Sequence, residues 1–439
     1  MLQSRALKKA VIASMLLSAP SVAQQSKFDA YKEKHKERYE RFANDYSQRY
    51  EEFKEKLIEK WGVAELSSTT EYVAYSNDNN IKVIADFEKD TIEVSIRDDE
   101  FNTLNEQEQN VLVKAAIEST LKLSASEAKE VNPEFVILAG SSAKKAHIPT
   151  LKNYKSTAPT LLNALGIKSD ADLAKSIVAA KAIPVEKQAA LVTQRTKARL
   201  EKQIKEVEQF ASREDVPKQT KEQATKTVAT LTTQLNEVSE AKVDATAKNT
   251  RSYKIQLQRA RYEKAAEFLN AVSQQASRWQ VAEDTLLAVM ETESHFNPLA
   301  KSHIPAYGLM QIVPATAGAD VNKQVFSSDK KPTPEELYDS ERNIEYGSAY
   351  FNILMTRYLK EVENPTSRLY CAIAAYNTGI GNLSKAFNNG KRGRMAAIEK
   401  INQMTPEQVM QVIKSKTHTE TQRYLEKVLG SKAYFSQHI

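Results

Sequence analysis

The stretch LLAVMETESHFNPLAKSHIPAYGLMQ, Leu286 to Gln311, decides how the rest of the chain is read. Leu286, Val289, Met290 and Glu293 fall at i, i+3, i+4 and i+7, so a carboxylate takes the last place on an otherwise apolar helical stripe. Loss of hydration there disfavours the charged form and raises the carboxyl pKa toward the range of a general acid. The same pattern suits a partnered structural glutamate at a helix end, because perturbed carboxyls mark active sites only probabilistically. Pro298 is expected to end the helix, and the loop running through Ser302 to Gly308-Leu309-Met310-Gln311 is expected to cover the acid.

The chain has 439 residues, enough for two or more domains with cores of their own. Its 62 basic and 56 acidic residues leave a net charge of +6, which suits an acidic polymer without demanding one. No basic stripe with interleaved aromatics points to nucleic acid. The six histidines show no metal-ligand spacing, and no glycine-rich phosphate loop occurs, so neither metal nor cofactor is expected. Cys371, the single cysteine, excludes an internal disulfide and reads as a buried small apolar residue in the run LYCAIAAY.

Residues 1–23 read as a secretory signal: Arg5, Lys8 and Lys9, an apolar run from Ala10 to Leu17, and Ser21-Val22-Ala23 as the cleavage site. Export follows, without a lipoprotein cysteine at the boundary. Residues 24–63 form an amphipathic helix whose aromatic seam is Tyr39, Phe42, Tyr46, Tyr50, Phe53 and Leu57. Packing on the next domain competes there with an interfacial membrane or envelope-protein contact through residues 28–57.

Residues 64–165 make a small α+β domain with a meander of strands over Tyr72–Ser76, Ile81–Phe87 and Thr91–Arg97. A helix over 107–123 covers it, with Val111, Ala115 and Leu121 inward. Residues 166–250 form a helical hairpin about Pro217, with ladders Leu200, Ile204, Val207, Ala211 and Val228, Leu231, Leu235, Val238. Its polar face is solvated or docks a partner. Residues 251–439 read as helix after helix with no two-residue alternation, starting with a helix over Leu257 to Arg278, and form an all-α lobe. The whole is an α+β multidomain chain.

Glu293-Ser294-His295-Phe296-Asn297-Pro298, then Gly308 to Gln311, then Ala375-Tyr376-Asn377 and Glu420-Thr421-Gln422-Arg423-Tyr424, together resemble the catalytic domain of the lytic murein transglycosylases of the soluble-lytic, goose-lysozyme-like type. The phrase VIADFEKDTIEVSI, Val83 to Ile96, is similar to the amino-terminal domain of transglycosylases of the membrane-bound lytic murein transglycosylase C kind, with Asp90 where that phrase has glycine. Against that pattern the hairpin looks like an insertion.

The resemblance implies a lysozyme-like fold for residues 251–439 and peptidoglycan as the partner. It implies Glu293 as the catalytic acid, cutting the β-1,4 bond between N-acetylmuramic acid and N-acetylglucosamine with closure of a 1,6-anhydro ring. Ser302 would orient the acid or the sugar acetamido group, Tyr376 would support the muramyl site, and Tyr424 would stand at hydrogen-bond distance from Glu293. Gly308, Met310 and Gln311 would line the cleft, although burial in the core competes with sugar contact for Met310. Asn377 would either meet substrate or fix the turn into Thr378-Gly379. Glu291 sits about 200° round the helix from Glu293, and no spacing brings Asp320, Glu335, Asp339 or Glu345 to it. A hydrolytic muramidase would need such a second carboxylate, whereas a non-catalytic envelope scaffold would be expected to lose the acid.

Overall fold

The computed structural model describes residues 48–98, 101–132, 134–135, 160–212, 218–247, 249–257, 260–302 and 306–439. The expected signal at 1–23 and the seam residues Tyr39, Phe42 and Tyr46 lie outside them.

Strands β1 (Glu71–Tyr75), β2 (Ile81–Asp86) and β3 (Thr91–Arg97) form the antiparallel meander. The β2–β3 turn places Asp90 at φ 52°, in the left-handed region. Aspartate tolerates this backbone better than most side chains. Helix α1 (48–61) lays Phe53, Leu57 and Trp61 on one face of the sheet, against Val73, Tyr75 and Ile84.

Helix α2 (Glu106–Leu121) covers the other face, but its inward residues are Val113, Ala116, Ile117, Thr120 and Leu121. Val111 and Ala115, expected inward, are exposed. The true stripe steps by three, one, three and one and includes a threonine, whose hydroxyl bonds back to the Ala116 carbonyl at 2.8 Å and so tolerates burial.

The sheet is larger than the sequence suggests. Strands β4 (Lys181–Ile183) and β5 (Thr250–Gln256) extend it in the order β1-β2-β3-β5-β4. Residues 251–256 are therefore strand, contrary to the expected absence of alternation. The alternation hides in hydroxyls: two of the three buried positions are Thr250 and Ser252, the third being Ile255, and Ser252 Oγ lies 2.8 Å from Ser95 Oγ across the β3–β5 pair. The helix expected from Leu257 is likewise broken, into Arg261–Ala265, Ala266–Phe268 and α5 (Leu269–Trp279), which comes after the hairpin in the chain.

The hairpin leaves the sheet between β4 and β5 as α3 (Val185–Ser212) and α4 (Lys218–Glu237), closed along Leu200, Val207, Leu231 and Val238. Arg195 ties it down, reaching Glu65 at 2.5 Å and Glu93 at 2.9 Å, while Lys82 also pairs with Glu65. Burial pushes the Glu65 pKa up, but the Arg195 and Lys82 charges outweigh it and hold the carboxyl at about 2.

The C-terminal lobe is all helical. Its centre is α6 (Glu283–Ser294), in which Leu286 to Met290 are fully buried. Around it lie α7 (Ser340–Ile353), α8 (Pro365–Thr378), α9 (Pro406–Lys416) and α10 (Thr419–Phe435). Asn297 donates to the Thr69 carbonyl at 3.2 Å, joining this lobe to the segment that leads into β1.

Candidate active site

Helix α6 ends four residues before Pro298. His295 (φ 51°) and Phe296 (φ 65°) both take left-handed backbone, and the His295 amide caps the Glu291 carbonyl at 3.0 Å. Left-handed conformation costs about 1–2 kcal/mol per residue. Burial of Phe296, stacked on Phe268 at 6.2 Å and edge-on to Phe435 at 6.1 Å, returns about 2–3 kcal/mol and fixes the turn. The chain thus swings away directly after Glu293 and leaves its carboxyl at a helix end.

The Gly308-Leu309-Met310-Gln311 loop is fastened to that end. The buried Ser294 hydroxyl donates to the Leu309 carbonyl at 2.8 Å. Gln311, at φ 47°, donates from Nε2 to the carbonyls of Ala300 (3.1 Å) and Gly308 (3.0 Å). Gly308 is at φ 74°, and a Cβ there would stand 2.3 Å from the Leu337 carbonyl oxygen and 2.4 Å from Asn343 Nδ2. Its lack of a side chain serves this internal packing.

Of the two readings for Met310, burial holds: its side chain is fully buried with its sulfur against Gly347, and its backbone groups make the contacts with the site. The Met310 carbonyl accepts the Tyr376 hydroxyl at 2.9 Å, and the Met310 amide donates to Asn343 Oδ1 at 2.8 Å. Asn343 is fully buried and also donates to the carbonyls of Tyr307 (2.8 Å) and Leu337 (2.7 Å). Sequence reasoning missed it. The available signal was a lone amide in line with Gly347 and Tyr350, at i+4 and i+7 on a helix otherwise apolar on that face.

Glu293 itself is half-buried, and its Oε1 accepts the hydroxyl of buried Tyr424 at 2.7 Å. Loss of hydration is the largest influence and the nearby Glu420 charge adds to it; the Tyr424 bond opposes both, and the carboxyl is pushed up to about 8. At neutral pH it carries its proton. Burial and the Glu293 charge together push the Tyr376 and Tyr424 hydroxyls well above the ordinary tyrosine range, so both stay protonated as donors. Tyr376 is half-buried, with its ring 5.5 Å from that of Tyr350.

The start of α10 meets the end of α8 through Asn377. Its Oδ1 accepts the Thr421 hydroxyl at 2.7 Å and its Nδ2 donates to exposed Glu420 at 3.4 Å. Asn377 thus has its side-chain amide committed to α10. Glu420, which sequence spacing did not single out, is the second carboxylate felt by Glu293. Ser302 is held within its own loop, where its Oγ accepts the Ala306 amide at 3.2 Å. Glu291 points elsewhere: it pairs with Arg261, whose Nε lies 2.5 Å from Oε1.

The fold and the site together define a helical lobe built around one carboxyl that keeps its proton at neutral pH. Within that lobe, residues 270–398 match the family described as Transglycosylase SLT domain. The chain is 42% identical over 168 residues to the membrane-bound lytic murein transglycosylase C of Salmonella paratyphi B, covering 38% of this chain and 45% of that protein. It is 40% identical over 176 residues to the protein of the same name from Yersinia enterocolitica, covering 40% and 48%. The chain thus spans about half the length of the curated relatives it matches. Among solved structures it is similar to the 70 kDa soluble lytic transglycosylase from Escherichia coli, at 18% identity with a TM-score of 0.29, covering 77% of this chain and 45% of that one. An inactive mutant of the lytic transglycosylase Slt from Pseudomonas aeruginosa gives 15% identity and the same TM-score of 0.29, covering 77% and 48%.

Proposed function

We propose that the chain is a peptidoglycan lytic transglycosylase, a lyase that cuts the β-1,4 bond between N-acetylmuramic acid and N-acetylglucosamine without consuming water. The observation that carries this reading is Glu293, a half-buried, proton-bearing carboxyl at a helix end with a tyrosine hydroxyl on the oxygen that will become charged. The names of the relatives supply murein as the substrate class.

Glu293 gives its proton to the glycosidic oxygen as the bond to the muramyl anomeric carbon breaks. The muramyl 2-acetamido oxygen attacks that carbon and takes the place of an enzyme nucleophile. The Glu293 carboxylate, stabilised by Tyr424, then withdraws the proton of the C6 hydroxyl. The C6 oxygen displaces the acetamido oxygen, closes the 1,6-anhydro ring and returns Glu293 to its starting state. Tyr376 holds the Met310 carbonyl beside the site, Ser302 and Gln311 shape the loop that faces the sugar, and Asn377 sets the edge formed by α10.

A lysozyme-like lobe exported to the periplasm, in reach of murein, completes the reading. Any outer-membrane association would run through residues 28–57 or the hairpin; among the described residues no helix is long and apolar enough to cross a membrane.

Glu420 favours a second reading, a muramidase in which that carboxylate activates water on the far side of the sugar. Digestion of purified murein sacculi followed by mass analysis separates the two. Anhydromuramyl ends support the lyase and reducing muramyl ends support the hydrolase. Failure to release any fragment would overturn both.

A further inference from the structure

Three basic residues of α3, Arg195, Arg199 and Lys202, stand at i, i+4 and i+7 and so share one helix face. All three reach the segment that leads into β1. Arg195 pairs with Glu65 as well as Glu93. Arg199 donates to the carbonyls of Ala64 at 2.7 Å and Leu66 at 3.3 Å. Lys202 Nζ donates to the Thr69 hydroxyl at 3.2 Å. Arg199 meets two carbonyls at once because its donors lie in a fixed planar fork.

The same segment holds the chain that follows the catalytic acid. Ser68 Oγ accepts the Glu71 amide at 3.1 Å and the Ser68 amide donates to the Glu71 carbonyl at 2.8 Å, which closes a turn. The carbonyls of that turn meet the C-terminal lobe: Thr69 accepts Asn297 Nδ2 at 3.2 Å and Ser68 accepts the Lys301 amide at 3.4 Å. Asn297 is fully buried, and its Oδ1 accepts the Leu299 amide at 3.0 Å. Ala300 carries the hold forward, since its carbonyl accepts the Gly308 amide at 2.8 Å and Gln311 Nε2 at 3.1 Å. Tyr376 is seated on that loop through the Met310 carbonyl. Between Glu293 and Asn297 the backbone of His295 and Phe296 is left-handed. Such conformations persist only where the surroundings over-determine them, so a hold on the next residues matters here.

We propose that the helical hairpin is a brace for the active site, with Arg199 as a positioning residue that fixes segment 64–69 and, through it, the chain directly after Glu293. This rests on the reading of Glu293 as the proton donor. It gives the hairpin a task in turnover without a contact to substrate.

The test uses the full chain and Arg199→Met, which keeps the aliphatic stem and removes the donors. Turnover of solubilised glycan strands is expected to fall about 3- to 30-fold in kcat with KM unchanged. Loosening admits water to Glu293 and relieves the loss of hydration that raises its carboxyl to about 8. The alkaline limb of the pH–rate profile is therefore expected to move to lower pH, although Tyr376, Tyr424 and Glu420 are untouched. Arg199→Lys, which can still reach one carbonyl, is expected to fall between parent and Arg199→Met. Lys197→Met, at an exposed position on the same helix, is expected to match the parent. Adding Arg199→Met to Asn297→Ala should cost little beyond Asn297→Ala alone, because both cut one connection. Thermal melts confirm that each variant is folded. Amide exchange at Lys301 and Gly308 reads the brace without turnover and is expected to quicken in Arg199→Met. Exchange at both amides equal to the parent's overturns the brace, as does an equal loss of turnover in Lys197→Met or an unmoved alkaline limb. A parent that turns over no glycan strikes the reading of Glu293 instead, and the exchange still decides the brace.

Discussion

The Tyr424 hydroxyl donates to Glu293 Oε1 at 2.7 Å, from a helix that begins 125 residues after α6 ends. The bond favours the carboxylate over the acid, against the larger effect of burial. Tyr424→Phe therefore raises the Glu293 pKa above about 8 and moves the alkaline limb of the pH–rate profile to higher pH. It also removes a hydrogen bond to the charge left when the proton departs, so the rate at the optimum should fall about 10- to 100-fold. Assays of murein release from pH 5 to 10 measure both effects, and a limb that moves down would show that the bond stabilises the acid instead.

Glu293→Gln keeps the shape and removes the proton. Loss of a general acid should lower the release of anhydromuramyl fragments by about 10²- to 10⁴-fold with the circular dichroism unchanged. Stability carries a second signature. The folded carboxyl, at about 8, holds its proton where an unfolded one near 4.5 has lost it. The folded state then binds more protons, so Glu293 lowers stability progressively as pH rises from about 4.5 through 8, and the penalty is full above 8. Unfolding by urea at pH 5 and pH 9 should show the variant gaining on the parent at pH 9, by on the order of a few kcal/mol.

Glu420 acts in the opposite sense to Tyr424, since its charge raises the Glu293 pKa. Glu420→Gln should lower that pKa, shift the alkaline limb to lower pH, and leave less of the acid protonated at neutrality. The product decides its role. Anhydromuramyl ends from the variant assign Glu420 to tuning, whereas total loss of turnover with reducing ends in the parent would assign it to activating water.

Much of this geometry was legible because the chemistry is local to a stripe. Leu286, Val289, Met290 and Glu293 share a helix face, and α6 runs over Glu283–Ser294 as its spacing predicts. The meander was legible for the same reason, with β2 and β3 beginning at Ile81 and Thr91 as predicted. Where inward positions are filled by hydroxyls, the signal disappears: β5 buries Thr250 and Ser252 and was read as part of a helical region. What stops α6 is a left-handed pair, His295-Phe296, ahead of Pro298, and its cause, the burial of Phe296 in a distant aromatic cluster, is not written in local spacing. Asn343 was invisible because its value lies in three backbone groups that sequence spacing does not bring together.

That amide supports a prediction about folding. Asn343→Ala leaves the Met310 amide and the Tyr307 and Leu337 carbonyls without this partner in a fully buried place. Buried groups left unpaired should cost about 2–5 kcal/mol together. Release of the Gly308–Gln311 loop should also weaken murein cleavage, because Tyr376 is seated on the Met310 carbonyl. Urea unfolding and murein release measure the two losses, and a variant with parental stability would show that the loop is held by other contacts.

Glu291 offers the sharpest contrast with Glu293, since both acids lie on α6 two residues apart. Glu291 faces Arg261, which also donates to Ser431 Oγ at 2.7 Å, so the pair fastens α6 and α10 to the segment before α5. Arg261 is 40% exposed and keeps access to water when its partner goes, which limits the cost of breaking the pair. Glu291→Gln should therefore lower stability by about 1–2 kcal/mol and leave cleavage within a few-fold of the parent, with the alkaline limb of the pH profile unmoved. If it abolished cleavage while Glu293→Gln retained it, the proton donor would have to be moved to the opposite face of the helix.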